Sequence, residues 1–202
     1  MRIALTDVPL WAALLPLAAY LALIGGLNLR RRPVVLSGQA DVALLACGLT
    51  GLVIAGPLAM IQPAAGMSAW TAVALLLAFA LAVSFAMLAA RPRMVVYNIG
   101  LDQMRPLVAA VVTALDPSAR WAGETAALPA RDLQVHLDDR GPARTVSVIA
   151  AGRASAETWA EFSRRLRRTT RATRVSPNPW AWVFLAAAVG LTVFAWWLAV
   201  TS

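Results

Sequence analysis

The chain has 202 residues, of which 60% are hydrophobic, and its 18 basic and 10 acidic residues give a formal net charge of +8. This apolar fraction exceeds the roughly 45–50% of soluble globular proteins, which excludes an ordinary soluble domain. The basic residues are all arginine. A single cysteine, Cys47, excludes an intrachain disulfide and a cysteine-rich metal site.

Four long stretches carry no charged side chain: residues 8–29, 42–61, 68–90 and 180–200. Each has about the ~20 residues that a helix needs to cross a hydrocarbon core about 30 Å thick. We therefore predict four transmembrane helices, three in residues 1–90 and the fourth in residues 177–202. The predicted fold class is a membrane all-α protein with a small α+β cytoplasmic domain, residues 91–176, inserted between helices 3 and 4.

Arginines flank these stretches almost entirely on one side, with Arg2 alone on the other. Topology-setting arginines follow the first and third stretches: Arg30, Arg31, Arg32, Arg91 and Arg93. A basic cluster precedes the fourth stretch: Arg164, Arg165, Arg167, Arg168, Arg171 and Arg174. Because short basic loops are retained in the cytoplasm, we predict a multi-pass protein of the bacterial cytoplasmic (inner) membrane, with both termini outside. The first stretch exceeds the length of a signal-peptide core, which favours a retained anchor.

Small residues mark two of the stretches. The third stretch repeats alanine every four residues, a spacing that lets helix backbones approach closely: Ala74, Ala78, Ala82, Ala86 and Ala90. We predict that this column is a helix-packing face, against this chain or another subunit. In the second stretch, Pro57 near Gly48, Gly51 and Gly56 is compatible with a kink, a close helix approach or simple tolerance in lipid.

The inserted domain begins with a β-branched run that predicts a strand at residues 94–98. A helix follows, capped near Asp102, with apolar residues at three- and four-residue spacing until Asp116-Pro117 ends it. Strands are predicted at 120–122 or 125–128, then at 132–137 and 145–150. The turn-forming residues 138–142 join the last two strands into an antiparallel hairpin.

A second helix is predicted to start after Ser155, a favoured N-cap residue, and to run to about Thr173. The order β-α-β-β-β-α predicts an antiparallel sheet covered on one face by two helices.

Few residues could carry chemistry. His136 and Asp138 share the polar face of one predicted strand and are the only candidates for an acid/base pair or metal ligands. A solvated strand histidine is the alternative. No phosphate-binding or dinucleotide-binding glycine motif occurs, so we predict no cofactor and no metal. The predicted spans contain no ionisable residue, which disfavours proton relays and ion-coupled transport.

The basic cluster from Arg164 to Arg174 ends close to the fourth stretch, which predicts contact with anionic headgroups. An acidic partner protein is the alternative, and nucleic acid is disfavoured because no aromatic residues interleave the arginines. We predict a non-enzymatic accessory or scaffold subunit whose domain docks a partner or the membrane surface, in a homo- or hetero-oligomer. A membrane-bound enzyme acting on a lipid or amphiphilic substrate and a transport-complex component remain as alternatives.

Overall fold

The computed structural model describes residues 10–61, 69–139 and 141–201. The helices are α1 (Leu10–Leu29), α2 (Gly38–Ile61), α3 (Ala69–Ala89), α4 (Leu101–Leu115), α5 (Ala156–Ala172) and α6 (Trp180–Thr201). The strands are β1 (Val34–Ser37), β2 (Arg93–Tyr97), β3 (Arg120–Ala122), β4 (Thr125–Leu128), β5 (Leu133–Asp139) and β6 (Thr145–Gly152). The chain divides into a helical unit, with most of α1, α2, α3 and α6, and a sheet unit, Gly26–Asp41 with Ala90–Ala181.

Within the described residues, two helices are long and apolar enough to cross a membrane, α1 and α6. The apolar stretches of α2 and α3, Gly38–Val53 and Val73–Ala89, have only 10–17 residues, below the ~20 that a span requires. The prediction of four transmembrane helices is therefore wrong. The connection at residues 62–67 lies outside the described residues.

The two long apolar helices bury little of their surface against the rest of the chain. Within the most apolar 18-residue segment of each helix, the buried share is 28% in α1 and 11% in α6. In α6 the large rings of Trp182, Trp196 and Trp197 are exposed. A core helix of a soluble protein would be mostly buried, and exposed apolar surface on this scale is unfavourable in water. These two helices indicate membrane association.

Two glycines of α2 allow α1 to pack closely in the helical unit. A Cβ atom at Gly48 would lie 2.7 Å from Tyr20 Cβ, and one at Gly51 would overlap the carbonyl oxygen of Ala13. Ala13 is buried at this contact. Of the alternatives for these glycines, the structure selects the close helix approach at Gly48 and Gly51. The side chain of Pro57 is outside the described part of the helix.

The sheet unit contains a six-stranded sheet in the order β1-β2-β6-β5-β4-β3, with every neighbouring pair antiparallel. The predicted β-α-β-β-β-α order is wrong in two respects. Both Arg120–Ala122 and Thr125–Leu128 form strands, because Gly123 adopts a positive φ of 59° in the two-residue turn between them. In addition, Val34–Ser37 forms an edge strand from outside the predicted domain.

Helices α4 and α5 contribute, with one face of the sheet, to a single hydrophobic core. The β5 strand alternates buried and exposed residues, so Leu133, Val135 and Leu137 point into this core. From the helices, the core receives Met104, Val108, Val111, Val112, Leu115, Phe162 and Leu166. This packing fixes the rotation of α5 about its axis and therefore the direction of its arginines.

The ends of the two domain helices differ from each other in how they are capped. The Ser155 hydroxyl accepts the backbone N–H of Thr158 at 3.1 Å, which confirms the predicted N-cap of α5. The predicted cap near Asp102 is wrong, since α4 begins after Gly100 without a side-chain cap.

In the β5–β6 hairpin, Asp139 Oδ1 accepts the Gly141 N–H at 3.0 Å, and Arg140 lies outside the described residues.

Candidate anion-binding site

The segment that follows α1 is held in place by hydrogen bonds to its backbone. The Asn98 side-chain amide donates to the carbonyl oxygen of Arg30 at 2.5 Å. The backbone N–H of Val175 donates to the carbonyl oxygen of Arg31 at 3.0 Å. Further along, β1 pairs with β2 over four residues. These hydrogen bonds therefore fix the backbone that carries Arg30, Arg31 and Arg32 within the sheet unit.

Two arginines of α5 reach toward this segment. Arg167 and Arg171 are four residues apart and so lie on the same side of the helix. Arg167 Nη1 donates to the carbonyl oxygen of Val35 in β1 at 3.0 Å. A cavity of about 260 Å³ lies here, lined by Arg30, Arg32, Pro33, Val34, Val35, Arg167 and Arg171. We call it the arginine pocket.

The arginine pocket carries uncompensated positive charge. The ion pairs among the described residues join Arg93 to Asp41, and Arg131 and Arg165 to Glu161. None of them involves an arginine of the pocket. Arg30, Arg32 and Arg171 are exposed, and Arg167 is half-buried. Planar guanidinium groups bind phosphate and carboxylate oxygens in a bidentate manner, so the pocket is suited chemically to an anion.

The structure divides the predicted basic cluster into groups with different surroundings. Arg165 Nη2 lies 2.7 Å from Glu161 Oε1, one helical turn away, so Arg165 is ion-paired. Arg167 and Arg171 line the arginine pocket. Arg164, Arg168 and Arg174 are exposed.

The predicted topology-setting arginines also lie in different surroundings. Arg30 and Arg32 line the arginine pocket and Arg31 is exposed. Arg91 borders a different cavity, of about 430 Å³, together with Ser155 and Trp159.

Arg93 is engaged with a buried carboxylate. Its Nη2 lies 3.5 Å from Asp41 Oδ2, and Asp41 Oδ1 also accepts the hydroxyl of Tyr97. Asp41 stands in the first turn of α2, where the helix dipole favours a negative charge. Gly38, at the start of the same helix, leaves room for the Arg93 side chain. This arginine therefore joins the start of α2 to the sheet.

The two residues predicted for chemistry lie on an exposed strand face. His136 and Asp138 are exposed on the same face of β5. His136 Nδ1 lies 3.0 Å from the Thr125 hydroxyl of the neighbouring strand, within hydrogen-bond distance. In the portion of the chain that is described, no group of three or more metal-ligating side chains occurs. His136 is thus an exposed strand side chain with a threonine hydroxyl beside it.

One carboxylate in the sheet unit has a shifted pKa. The Ser118 hydroxyl donates to Asp116 at 2.6 Å, and the backbone N–H groups of Ala130 and Ser118 donate to it at 2.9 Å. These hydrogen bonds, with a smaller contribution from Arg131, lower the pKa of Asp116 below its usual 3.8 against the opposing effect of burial. Asp116 thereby ties the end of α4 to the turn before β5.

The alanine column that was predicted to pack against another helix is not buried by the described part of this chain. Ala74, Ala78, Ala82, Ala86 and Ala90 are all exposed. Helix α3 instead turns a different side toward α2, where Phe79, Val83 and Met87 line a shared apolar cavity of about 650 Å³. The alanine column is thus available to a molecule outside this chain.

Comparison with protein-family models, with curated proteins and with solved structures gave no match for this chain. The arginine pocket is therefore defined by its own geometry. The sequence predicts a topology-setting role for the first basic group and lipid or partner contact for the cluster on α5, and it does not indicate that the two groups meet. Sequence reasoning missed Asn98, whose buried amide fixes the Arg30 backbone, because an asparagine at the end of a strand carries no distinguishing pattern.

Proposed function

We propose that this chain is a non-enzymatic accessory protein of the bacterial cytoplasmic membrane. Helices α1 and α6 anchor it, and the sheet unit docks on the anionic inner surface of that membrane through its exposed arginines. The observation that carries the proposal is the convergence of four arginines in a pocket that begins one residue after α1 ends, with no ion-paired carboxylate among the described residues.

The charge distribution supports a cytoplasmic sheet unit. Arg30, Arg31 and Arg32 directly follow α1, and the cluster on α5 ends at Arg174, a few residues before α6 begins at Trp180. Basic residues near the ends of spans remain in the cytoplasm. The outer ends of α1 and α6 then face the outside, so the protein crosses the membrane twice.

The energetics favour lipid as the docking partner. Each arginine near an anionic leaflet gains about 1 kcal/mol, and the gain falls off within a Debye length of ~8 Å at physiological salt. Arg30 and Arg32 are exposed, and they stay close to the end of α1 because they directly follow it in the chain. They therefore lie within the range where headgroup charges act on them, whereas an acidic partner protein would have to be recruited there.

Hydrogen–deuterium exchange tests this docking. The full-length protein is placed in nanodiscs of phosphatidylcholine with or without phosphatidylglycerol, and exchange is followed in residues 30–37 and 164–174. We expect slower exchange in both segments when the anionic lipid is present, and loss of this difference at high salt. The control variant is Arg120→Gln, which removes an exposed arginine outside both segments and should leave the difference between the two lipid compositions unchanged. Equal exchange in both lipid compositions contradicts the proposal.

A partner subunit is part of the proposal because of the exposed alanine column. Small residues at four-residue spacing let a second helix approach closely, which favours self-association through α3. Ala82→Leu should lower the fraction of cross-linked oligomer in membranes. The control is Leu88→Phe, which enlarges an exposed side chain about 120° around α3 from Ala82. Equal oligomer fractions in the two variants would exclude this face.

A further inference from the structure

We propose that the arginine pocket is a discrete site for one phosphate group per chain. This deepens the proposed function, since docking on a charged surface requires only net charge, whereas the pocket selects a particular ligand chemistry. The phosphate can belong to a lipid headgroup or to a soluble phosphate compound, and the two sources share the chemistry that the pocket recognises.

The pocket is assembled from two segments that are far apart in the chain. Arg30 and Arg32 come from the segment after α1, and Arg167 and Arg171 from α5. Its volume of about 260 Å³ is well above the ~15 Å³ that one water molecule needs, so a phosphate group fits with its remaining waters. Four arginines that line one cavity repel one another, and a counter-ion reduces that repulsion. Bound phosphate would supply that counter-ion.

The walls of the pocket are organised before any ligand arrives. The Arg30 and Arg31 carbonyl groups are held by Asn98 and Val175. Arg167 is oriented by its hydrogen bond to the Val35 carbonyl oxygen. Preorganisation of this kind reduces the entropy lost on binding, so affinity is gained from groups that are already placed. Scattered surface arginines lack this property.

The lining favours a phosphate over a nucleobase-bearing strand. The apolar part consists of Pro33, Val34 and Val35, and no aromatic side chain lines the cavity in the described residues. Binding of single-stranded nucleic acid relies on bases stacked on aromatic rings. Several forked donors around one point match a tetrahedral phosphate better than a flat carboxylate, whose two oxygens are satisfied by one guanidinium.

Calorimetry on the full-length protein in neutral detergent tests the inference. The ligands are short-chain phosphatidylglycerol, inorganic phosphate and succinate. The test variant is Arg32→Gln/Arg171→Gln, which changes two exposed arginines of the pocket. The matched control is Arg164→Gln/Arg168→Gln, which removes the same charge from exposed positions outside it. Neither pair is engaged in an ion pair among the described residues.

We expect one phosphate-bearing ligand per chain, about tenfold or more weaker binding in the pocket variant, and little change in the control. Binding of the lipid alone, of inorganic phosphate alone or of both supports the site and identifies the source. Equal weakening in both variants, equally tight succinate binding or no binding of either phosphate ligand overturns it. The outcomes of this test are separate from those of the docking test, because exchange in nanodiscs can respond to anionic lipid without a pocket.

Discussion

Asn178 and Asn28 join the segment before α6 to the end of α1 through two hydrogen bonds. The backbone N–H of Asn178 donates to the Asn28 carbonyl oxygen at 3.0 Å, and its side-chain amide donates to Asn28 Oδ1 at 3.2 Å. Both asparagines are buried. The same Asn178 amide donates to the Ala143 carbonyl oxygen at 2.9 Å, and its Oδ1 accepts the Trp180 N–H at 3.1 Å, which caps α6.

This arrangement predicts a large effect of substituting Asn178. Asn178→Ala removes the cap of α6 and the amide that donates to the Asn28 and Ala143 oxygens, so we expect a loss of about 2 kcal/mol in unfolding free energy. Asn178→Asp keeps the cap oxygen but places a carboxylate against two acceptor oxygens, so it should destabilise as well. Thermal unfolding in detergent measures both. Wild-type stability in the aspartate variant would show that the amide donor is not needed.

The pH dependence of stability should include a contribution from Asp116. Because its pKa is lowered below 3.8 in the folded state, the ionised carboxylate stabilises the fold above that pH. The stabilisation is then lost as the pH falls through the folded-state pKa. Asp116→Asn should lower the unfolding midpoint near neutral pH, and its difference from the wild type should shrink below pH 3.8. A difference that is constant across this range contradicts the assignment.

The contact between α1 and α2 predicts opposite effects for two glycine substitutions. A Cβ at Gly51 overlaps the Ala13 carbonyl oxygen, which belongs to the backbone and cannot rotate away. We therefore expect Gly51→Ala to cost about 1–3 kcal/mol. At Gly190 in α6 no atom lies within 4 Å of such a Cβ, so Gly190→Ala should be neutral or stabilising. Unfolding midpoints in detergent compare the two, and a similar shift in both would exclude the close packing.

Replacement of His136 distinguishes an enzyme from an accessory protein. The side chain is exposed and lies within hydrogen-bond distance of the Thr125 hydroxyl, so His136→Ala should change the unfolding free energy by less than about 0.5 kcal/mol. We expect this variant to complement a deletion strain, while Arg32→Gln/Arg171→Gln fails to do so. Loss of complementation by His136→Ala at a normal protein level would instead indicate catalysis by His136 and Asp138.

Local patterns predicted those features that depend on a few neighbouring residues. The alternation in β5 and the Ser155 cap of α5 are examples, since each is specified within one segment. The β1 strand escaped prediction because Val34–Ser37 is only four residues long and gains its partner β2 from a segment about sixty residues later. Likewise, the sequence predicts a strand at 120–122 or at 125–128, whereas the positive φ of Gly123 allows both strands to form one hairpin.

The arginine pocket could not be predicted for a related reason. Charge counting identifies arginines that remain on one side of a membrane, but it carries no information on which of them meet. The convergence of Arg32 with Arg171 follows from the rotation of α5 that Phe162 and Leu166 impose by entering the core. The number of spans was overestimated because an uncharged stretch was equated with an apolar helix long enough to cross a bilayer.

Labelling of introduced cysteines tests the membrane arrangement most directly. In a Cys47→Ser background, Arg153→Cys places a thiol at an exposed position of the sheet unit, and Thr201→Cys places one at the far end of α6. A membrane-impermeant maleimide applied to sealed spheroplasts should label Thr201→Cys and spare Arg153→Cys, and inverted vesicles should reverse the pattern. Labelling of Arg153→Cys in sealed spheroplasts, or recovery of the protein in the aqueous fraction without detergent, would contradict the account.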